Sequence, residues 1–482
     1  MPKGPQLNNI AKNFTTRDSL GIESVAASIS AEICPIVNTV TPRAFYWPFM
    51  VWIYYDFYQY SGIKEHNVRA FDAYLKRQDY FFVLATLLTA GSDRTNLVGV
   101  LQTQNDIYNN KTGKYPFNPN YFKTRYGGMQ YYNAGCLSMR FIIDRDPKTG
   151  ALYDFPKLTK DGEKMALAFE KRIKGTKYYK NYRLSNAEVP EAVLKEYGKA
   201  INFGLVGFDD CKEMLRAKMF ESKRFSKLTD SASYIKFLND EYGIVDFDRV
   251  TCRKLLFDYK TPSNKSIKIR SDLEEISNEW EIVIGRQYLT AGLEMIWKYM
   301  LEQLDEPLTK KEWVSRVLST SHLGIDIKQP LSKLISNAEY DFETREEMIA
   351  IARRGEDEDS VINGLKIVLS MYNHFSNRED LGDDQLFFEY GMDSESIPIS
   401  DVLQGVDSFI NSSIKDFLLM IMDEWLIKQH YITAFEKMLQ DRDGFYYEVI
   451  DGKYIKRKEF EIDFQGIRLV QLSQVMKDLE VI

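Results

Sequence analysis

Apolar residues recur every three to four positions along most of this chain, which is the period of an amphipathic helix. The pattern is strongest between residues 185 and 304, in "EAVLKEYGKAINFG", "KEMLRAKMFESKRF", "SYIKFLNDEYG" and "EWEIVIGRQYLTAGLEMIWKYMLEQL". Each such segment buries one face, so we expect these helices to pack as a bundle. Strand-like alternation is confined to short runs, and the sequence therefore predicts a mainly α fold with small β-hairpins (α+β).

Two short runs alternate apolar and polar residues. The first, at 152–158, precedes Thr159, a residue type that favours a helix N-cap. The second, "GFYYEVIDGKYIKRKEFEIDF", divides around Asp451-Gly452, a dipeptide that favours a two-residue hairpin turn. The phrase "LTKDGEKMALAFE" is also similar to the closing strand and final helix of winged-helix domains. These patterns predict one or two winged-helix-like modules, and a small α+β cap that serves for docking is an equal alternative for the C-terminal one.

The stretch "TPRAFYWPFMVWIYYDFY", residues 41–58, holds nine aromatic rings. Twelve uncharged residues separate Arg43 from Asp56, far fewer than the roughly 20 that a membrane helix needs. The rings fall near helical spacing at Phe45, Phe49, Trp52 and Phe57. Pro42 suits the first turn of such a helix, and Pro48 is expected to restart or kink it. We predict a helix buried in the core, with a base-stacking platform as the alternative.

The chain of 482 residues exceeds the roughly 250–300 residues that one hydrophobic core serves, so we predict several domains. Residues 1–184 form an N-terminal helical and winged-helix-like domain with a basic, aromatic loop. Residues 185–304 form the helical bundle, and residues 305–410 form an acidic helical segment. Residues 411–482 form a C-terminal module of two helices, a hairpin and a last helix.

The composition, 44% hydrophobic and 13% aromatic, is typical of an ordered globular protein. The four cysteines form no Cys-x-x-Cys pair and the four histidines form no i, i+4 pair. The sequence therefore predicts neither a metal site nor a cofactor. Its first residues, "MPKGPQ", lack an apolar signal region. We expect a reduced, cytoplasmic protein that does not engage a membrane.

Charge is distributed unevenly around a net charge of −7. Residues 108–183 hold sixteen Lys and Arg against six Asp and Glu, whereas residues 340–401 hold sixteen acidic against five basic side chains. For the acidic segment a solvated surface is the default interpretation, with a cation site or a contact for a basic partner as alternatives.

The basic segment interleaves cations with rings in "YNNKTGKYPFNPNYFKTRYGGMQYY" and carries more cations at the end of the helix predicted after Thr159. Cations neutralise phosphates, and aromatic rings stack on bases. The predicted nucleic-acid-binding residues are Lys111, Lys114, Tyr121, Phe122, Lys123, Arg125, Tyr126, Lys171, Arg172 and Lys174. The alternative is a solvated basic loop that its own tyrosines pack.

Familiar catalytic motifs are missing from the sequence. It has no Walker A loop, no Gly-x-Ser-x-Gly elbow, no Gly-x-Gly-x-x-Gly fingerprint and no His-x-Lys nuclease signature. A metal-dependent nuclease would have to draw on Asp246 or Asp248 together with Asp258 and Lys260. Whether the protein is an enzyme stays open, and the absence of motifs favours a non-catalytic role.

Several phrases resemble an uncharacterised family of bacterial proteins, a domain of unknown function encoded in or near antiviral defence islands. They are "TRDSLGIESVAASISAEICPIVNTVTPRAFYWPFMVWIYYDF", "NLVGVLQTQN", "LTKDGEKMALAFE", "QHYITAFEKMLQ" and "LVQLSQVMKDLEVI". The resemblance implies a cytosolic protein that accompanies DNA-acting ATPases, helicases or nucleases.

From these observations we expect a non-catalytic DNA-binding or scaffold component of a bacterial anti-phage defence complex. Its expected partners are DNA and an ATPase or nuclease subunit. The first alternative is a pure protein–protein adaptor without nucleic-acid binding. The second alternative is a cryptic metal-dependent nuclease.

Overall fold

The computed structural model describes residues 18–41, 43–60, 68–89, 97, 99–122, 130–201, 207–319, 324–336, 341–354, 359–376, 378, 397–439, 442–462 and 466–482. Of the residues that the structure describes, 66% are helix and 7% are strand, which confirms the mainly α prediction with small β-hairpins. Among the described residues, no helix combines the length and apolar character that crossing a membrane requires.

Helices make up most of the first half of the chain. They are α1 (Ile22–Ile33), α2 (Tyr46–Tyr60), α3 (Val68–Thr89), α4 (Val100–Asn109), α5 (Gln130–Ser138), α6 (Lys160–Ile173), α7 (Glu191–Ile201), α8 (Asp209–Phe220), α9 (Ser226–Tyr242) and α10 (Arg249–Phe257). A π-helical turn follows α6 at Tyr178–Tyr182, and 3-10 turns precede α9 and α11 at Lys223–Phe225 and Ser271–Leu273.

The second half continues with α11 (Glu274–Glu302), α12 (Lys310–Ser319), α13 (Leu331–Ile335), α14 (Phe342–Arg354), α15 (Ser360–Phe375), α16 (Ile399–Phe409), α17 (Ile414–Met420), α18 (Gln429–Leu439) and α19 (Arg468–Asp478). A π-helical segment, Ile421–Lys428, joins α17 to α18.

The strands form small antiparallel sheets. They are β1 (Lys114–Tyr115), β2 (Ile142–Arg145), β3 (Leu152–Leu158), β4 (Val189–Pro190), β5 (Leu308–Thr309), β6 (Tyr447–Ile450) and β7 (Lys453–Lys456). Strand β1 pairs with β4, β2 pairs with β3, and the third sheet has the order β5-β7-β6. The hairpin predicted around Asp451-Gly452 is confirmed, with Ile450 opposite Lys453 and positive φ angles of 52° and 75° at the two turn residues.

The chain packs as two compact units. One unit combines residues 31–252 with residues 467–482, and we call it the aromatic unit. The other combines residues 1–30 with residues 253–466, and we call it the central-helix unit. The bounds of these units differ from those of the four segments predicted from the sequence. The four segments and the winged-helix-like modules remain predictions.

The core of the aromatic unit is built on α2, which confirms the core interpretation of the aromatic stretch. Phe49 stacks on Phe82 of α3 with ring centroids 3.9 Å apart, and Trp52 packs against Phe169 of α6 at 5.7 Å. Because α2 begins at Tyr46, Pro48 lies in its first turn, where a missing N–H costs no hydrogen bond. The helix therefore runs through Pro48 instead of restarting after it.

The core of the central-helix unit is built on α11, which is buried around almost its whole circumference. Helix α15 crosses it at a pair of glycines. A Cβ atom added to Gly364 would lie 2.4 Å from the carbonyl oxygen of Gly292, so only glycine allows this approach of the two backbones. Residues around this crossing, including Ile296 and Val368, are fully buried.

Candidate nucleic-acid interface

The first group of predicted residues follows α4 in the aromatic unit. The Asn110 side chain accepts hydrogen bonds from the N–H groups of Thr112 and Gly113, both at 2.9 Å, and so shapes the turn before β1. Strand β1 then alternates, with Lys114 exposed and Tyr115 buried. Lys111 lies on the same turn and is also exposed. Both lysines are therefore accessible to a ligand.

Of the aromatic residues predicted to bind, the two that the structure describes, Tyr121 and Phe122, pack into the fold. The Tyr121 ring is only 2% exposed, and its hydroxyl donates a hydrogen bond to the carboxylate of Asp79 on α3. A ring in this position cannot stack on a base without opening the core, so the stacking role predicted for Tyr121 does not fit its place. Phe122 is half-buried and packs against Tyr121 and Tyr131, with centroids 6.2 and 6.4 Å away.

The other predicted loop residues, Lys123, Arg125 and Tyr126, lie outside the described residues. Their contribution to a site remains a prediction from the sequence.

The second group of predicted residues lies at the C-terminal end of α6. Thr159 caps this helix as predicted, because its side chain accepts a hydrogen bond of 3.1 Å from the N–H of Gly162. The buried face of α6 includes Met165, Phe169 and Ile173. That orientation turns the cations of the last turn toward solvent, and they are Lys171, Arg172 and Lys174.

Helix α7 supplies two cations that the sequence reasoning missed. Its buried face includes Leu194 and Tyr197, which leaves Lys195 and Lys199 exposed one turn apart. Arg172 of α6, Lys195 and Lys199 line one open cleft of about 660 Å³, together with one acidic residue, Glu196. The i, i+4 spacing of the two lysines on the polar face of an amphipathic helix is the signal that could have found them.

Several of these cations have weak partners at the surface. Lys195 pairs with Glu191 at 2.6 Å, and Lys171 approaches Asp210 at 3.7 Å. The side chains of both pairs are substantially exposed, so water and salt screen them and they contribute little to stability. The guanidinium carbon of Arg172 lies 5.6 Å from the Phe208 ring centroid.

Two lysines of the cleft region are left for an external anion. Within the described part of the chain, neither Lys174 nor Lys199 forms an ion pair, and both are exposed. Both also lie near helix C-termini, where the helix dipole favours a cation. Their charge is thus compatible with helix stability and remains available to a phosphate.

The carboxylates considered as metal ligands of a nuclease form other hydrogen bonds or ion pairs. Asp258 accepts hydrogen bonds from the buried Arg345, and Asp248 accepts one of 2.6 Å from the N–H of Thr251. Asp246 is highly exposed and lies 3.3 Å from Lys477. Within the described ranges, no three His, Cys, Asp or Glu side chains are placed to hold a metal ion.

The cysteines also lack the environment of a nucleophile. All four are buried. Burial raises the pKa of the Cys34 and Cys211 thiols to about 12. Such thiols stay protonated at neutral pH, and the thiolate is the reactive form.

Comparison with protein-family models, curated proteins and solved structures finds no significant match to this chain. The assignment of a function therefore depends on the surface itself.

Proposed function

We propose that this protein is a non-catalytic, cytoplasmic, DNA-binding component of a bacterial antiviral defence complex that acts with an ATPase or nuclease partner. The observation that carries DNA binding is the cationic cleft between the end of α6 and α7, whose rim includes Arg172, Lys195 and Lys199. The place in a defence complex rests on the sequence resemblance.

The chemistry of this surface suits a phosphate backbone. Lys171 and Lys174 adjoin the cleft in sequence, and both are exposed. Each phosphate that a lysine or arginine neutralises releases condensed counterions, which makes affinity fall steeply with salt. Weak pairs such as Lys195 with Glu191 can exchange their carboxylate for phosphate at little cost, because both partners are already solvated.

The test is a fluorescence-anisotropy titration of the full chain with duplex and single-stranded DNA, at about 50 mM and about 200 mM salt. The diagnostic variant is the double charge reversal Lys174→Glu and Lys199→Glu. The matched control reverses two exposed lysines elsewhere in the same unit, Lys223→Glu and Lys236→Glu. We expect the diagnostic variant to lose at least about tenfold in affinity, with a salt slope reduced by roughly 0.9 per lost phosphate contact.

Equal losses in the two double variants would mean that DNA binding reflects overall charge and not this cleft. If the wild-type chain binds no DNA at low salt, the adaptor alternative replaces the proposal. Mg²⁺-dependent cleavage of the probe, abolished by Asp258→Ala in a chain that still folds, would instead support the nuclease alternative. The basic loop after α4 is tested separately, by reversing the charges of Lys123 and Arg125.

A further inference from the structure

A second cleft, of about 640 Å³, lies within the central-helix unit between α12 and α17. Its size is within the roughly 300–1,000 Å³ typical of ligand-binding clefts. The apolar lining comes from Val314, Leu318, Ile327 and Leu419. Leu419 is 36% exposed. An apolar cleft at the surface of a folded unit is a candidate for binding a partner.

Local structure explains why the cleft has this shape. Thr309 and Glu312 form a capping box at the start of α12, with the Thr309 N–H donating to the Glu312 carboxylate at 2.9 Å. Trp313 is fully buried and donates its indole N–H to the carbonyl of Met300 at 2.6 Å. This contact fixes the rotation of α12, so that Val314 and Leu318 line the cleft.

The opposite wall is held by backbone hydrogen bonds. The N–H of Lys415 donates to the carbonyl of Ile327 at 2.9 Å, and the N–H of Ile414 donates to that of Gln329 at 3.0 Å. The segment that contains Ile327 and Gln329 is therefore fixed against α17 as one wall, and the cleft exists without a ligand.

Three lysines surround the apolar lining. Lys310 pairs with Asp423, whereas in the described part of the chain Lys311 and Lys415 form no ion pair, and both are exposed. Lys310 and Lys311 also lie in the first turn of α12, where the helix dipole disfavours cations. Helix stability therefore does not explain their presence, and their charge is complementary to an acidic ligand.

We propose that this cleft binds an acidic amphipathic helix of a partner protein. In this mode, apolar side chains spaced i, i+4 and i+7 enter the groove, and the flanking carboxylates meet Lys311 and Lys415. Nucleic acid fits less well, because phosphates would leave Val314, Leu318 and Leu419 without apolar contact. The inference goes beyond DNA binding, since it concerns the other unit and another class of ligand.

The probe is a fluorescein-labelled synthetic helix with leucines at i, i+4 and i+7 and glutamates beside them, followed by anisotropy against the full chain. A scrambled peptide of the same composition keeps the charge and loses the apolar face. We expect the helix to bind with a Kd in the micromolar range and the scrambled peptide to bind at least about tenfold more weakly, because only the former fills the groove.

Two variants test the site without touching its buried neighbours. Lys311→Glu with Lys415→Glu reverses the charge of the two lysines at the edge of the cleft. Ser315→Trp places a large side chain in the groove from an exposed position. Each is expected to weaken binding about tenfold, by charge repulsion and by exclusion respectively. The control Lys268→Glu reverses an exposed lysine that does not line the cleft and should bind as wild type does.

The proposal is overturned if wild type fails to bind the helix, if the scrambled peptide binds equally well, or if both variants bind as wild type does. It is also overturned if duplex DNA displaces the peptide and Lys311→Glu with Lys415→Glu weakens DNA binding equally, because the rim would then be a general anion surface. A chain that binds the peptide but no DNA leaves this inference standing and refutes the proposed function alone.

Discussion

Four ion pairs with a buried basic side chain, one in the aromatic unit and three in the central-helix unit, differ in how far the acid reaches water. In the aromatic unit, Arg43 and Asp478 form a pair whose side chains are 5% and 3% exposed. Three cations of the central-helix unit are about as buried as Arg43, but the acids they pair with are more exposed. The side-chain exposures are 6% and 16% for Arg253 with Glu346, 6% and 58% for Lys254 with Glu343, and 4% and 15% for Arg345 with Asp258.

The difference shows what determines the cost of losing a partner. A buried charge that loses its partner must find another hydrogen bond or remain desolvated, and the second outcome is expensive. Asp478 has almost no access to water, and it also accepts a 2.9 Å hydrogen bond from the N–H of Ala44. The Glu346 side chain is 16% exposed, so water can replace part of a lost interaction there. We therefore expect unequal effects from similar substitutions.

The largest expected effect follows from Arg43→Met. The Nε and Nη2 atoms of Arg43 lie 3.0 and 2.9 Å from the two carboxylate oxygens of Asp478, so the substitution leaves a buried carboxylate without its countercharge. We expect a loss of about 3–5 kcal/mol in unfolding free energy, measured by urea denaturation. The double variant Arg43→Met with Asp478→Leu should recover a large part of this loss. A change below about 1 kcal/mol in the single variant would contradict the interpretation that water cannot reach this pair.

His430 extends the comparison, because it is a buried ionisable group that has no acidic partner among the described residues. His430 is fully buried in the central-helix unit. Its Nε2 atom accepts a hydrogen bond of 3.2 Å from the N–H of Tyr446, so Nδ1 carries the proton and donates to the carbonyl of Ser19 at 3.0 Å. Burial lowers the pKa of His430 to about 4, and the nearby Lys437 and Lys458 act in the same direction.

Because the unfolded histidine takes up a proton near pH 6.5 and the folded one near pH 4, stability is complete above about pH 6.5. It should fall as the pH drops toward 4, by about 3 kcal/mol at most. The measurement is the unfolding free energy against pH for wild type and His430→Gln. Their difference isolates this histidine from the carboxylates that titrate in the same range. Parallel curves between pH 7 and about pH 4 would show that His430 makes no such contribution.

A smaller effect is expected from Glu346→Gln in the network with partial access to water. Glu346 accepts hydrogen bonds from Arg253, whose Nε lies 2.7 Å away, and from the Tyr288 hydroxyl at 3.0 Å. Glutamine keeps the shape and one acceptor, and water can reach the site. We expect a loss of about 2 kcal/mol by urea denaturation. A loss as large as that of Arg43→Met would remove the distinction between the Arg43–Asp478 and Arg253–Glu346 pairs.

A structural feature could be predicted from the sequence when neighbouring residues determine it, and not when it depends on residues far apart in the chain. The aromatic helix and the Asp451-Gly452 hairpin were predicted correctly, because ring spacing and turn geometry are set by neighbouring residues. The burial of Tyr121 was not predictable in this way, since its partner Asp79 is 42 positions away. The Arg43–Asp478 pair joins residues 435 positions apart, and no local pattern indicates it.

The residues of the candidate site show the same division between local and long-range causes. The cations at the end of α6 were predicted from a run of like charge, and the structure leaves them exposed. Lys195 and Lys199 were missed because they lie beyond that run and join Arg172 only through the packing of α7. A charged surface is a property of the folded unit, so sequence windows recover only the part that one element supplies.

The smallest expected effect on stability comes from neutralising the exposed cations, in Lys174→Gln with Lys199→Gln. Neither lysine forms an ion pair within the described residues, so each loses only its favourable interaction with a helix C-terminus. We expect the unfolding free energy to change by less than about 1 kcal/mol. DNA affinity should nevertheless fall severalfold, because phosphate contacts are lost. If stability instead falls as far as in Arg43→Met, these lysines serve the fold, and the loss of DNA binding would follow from unfolding.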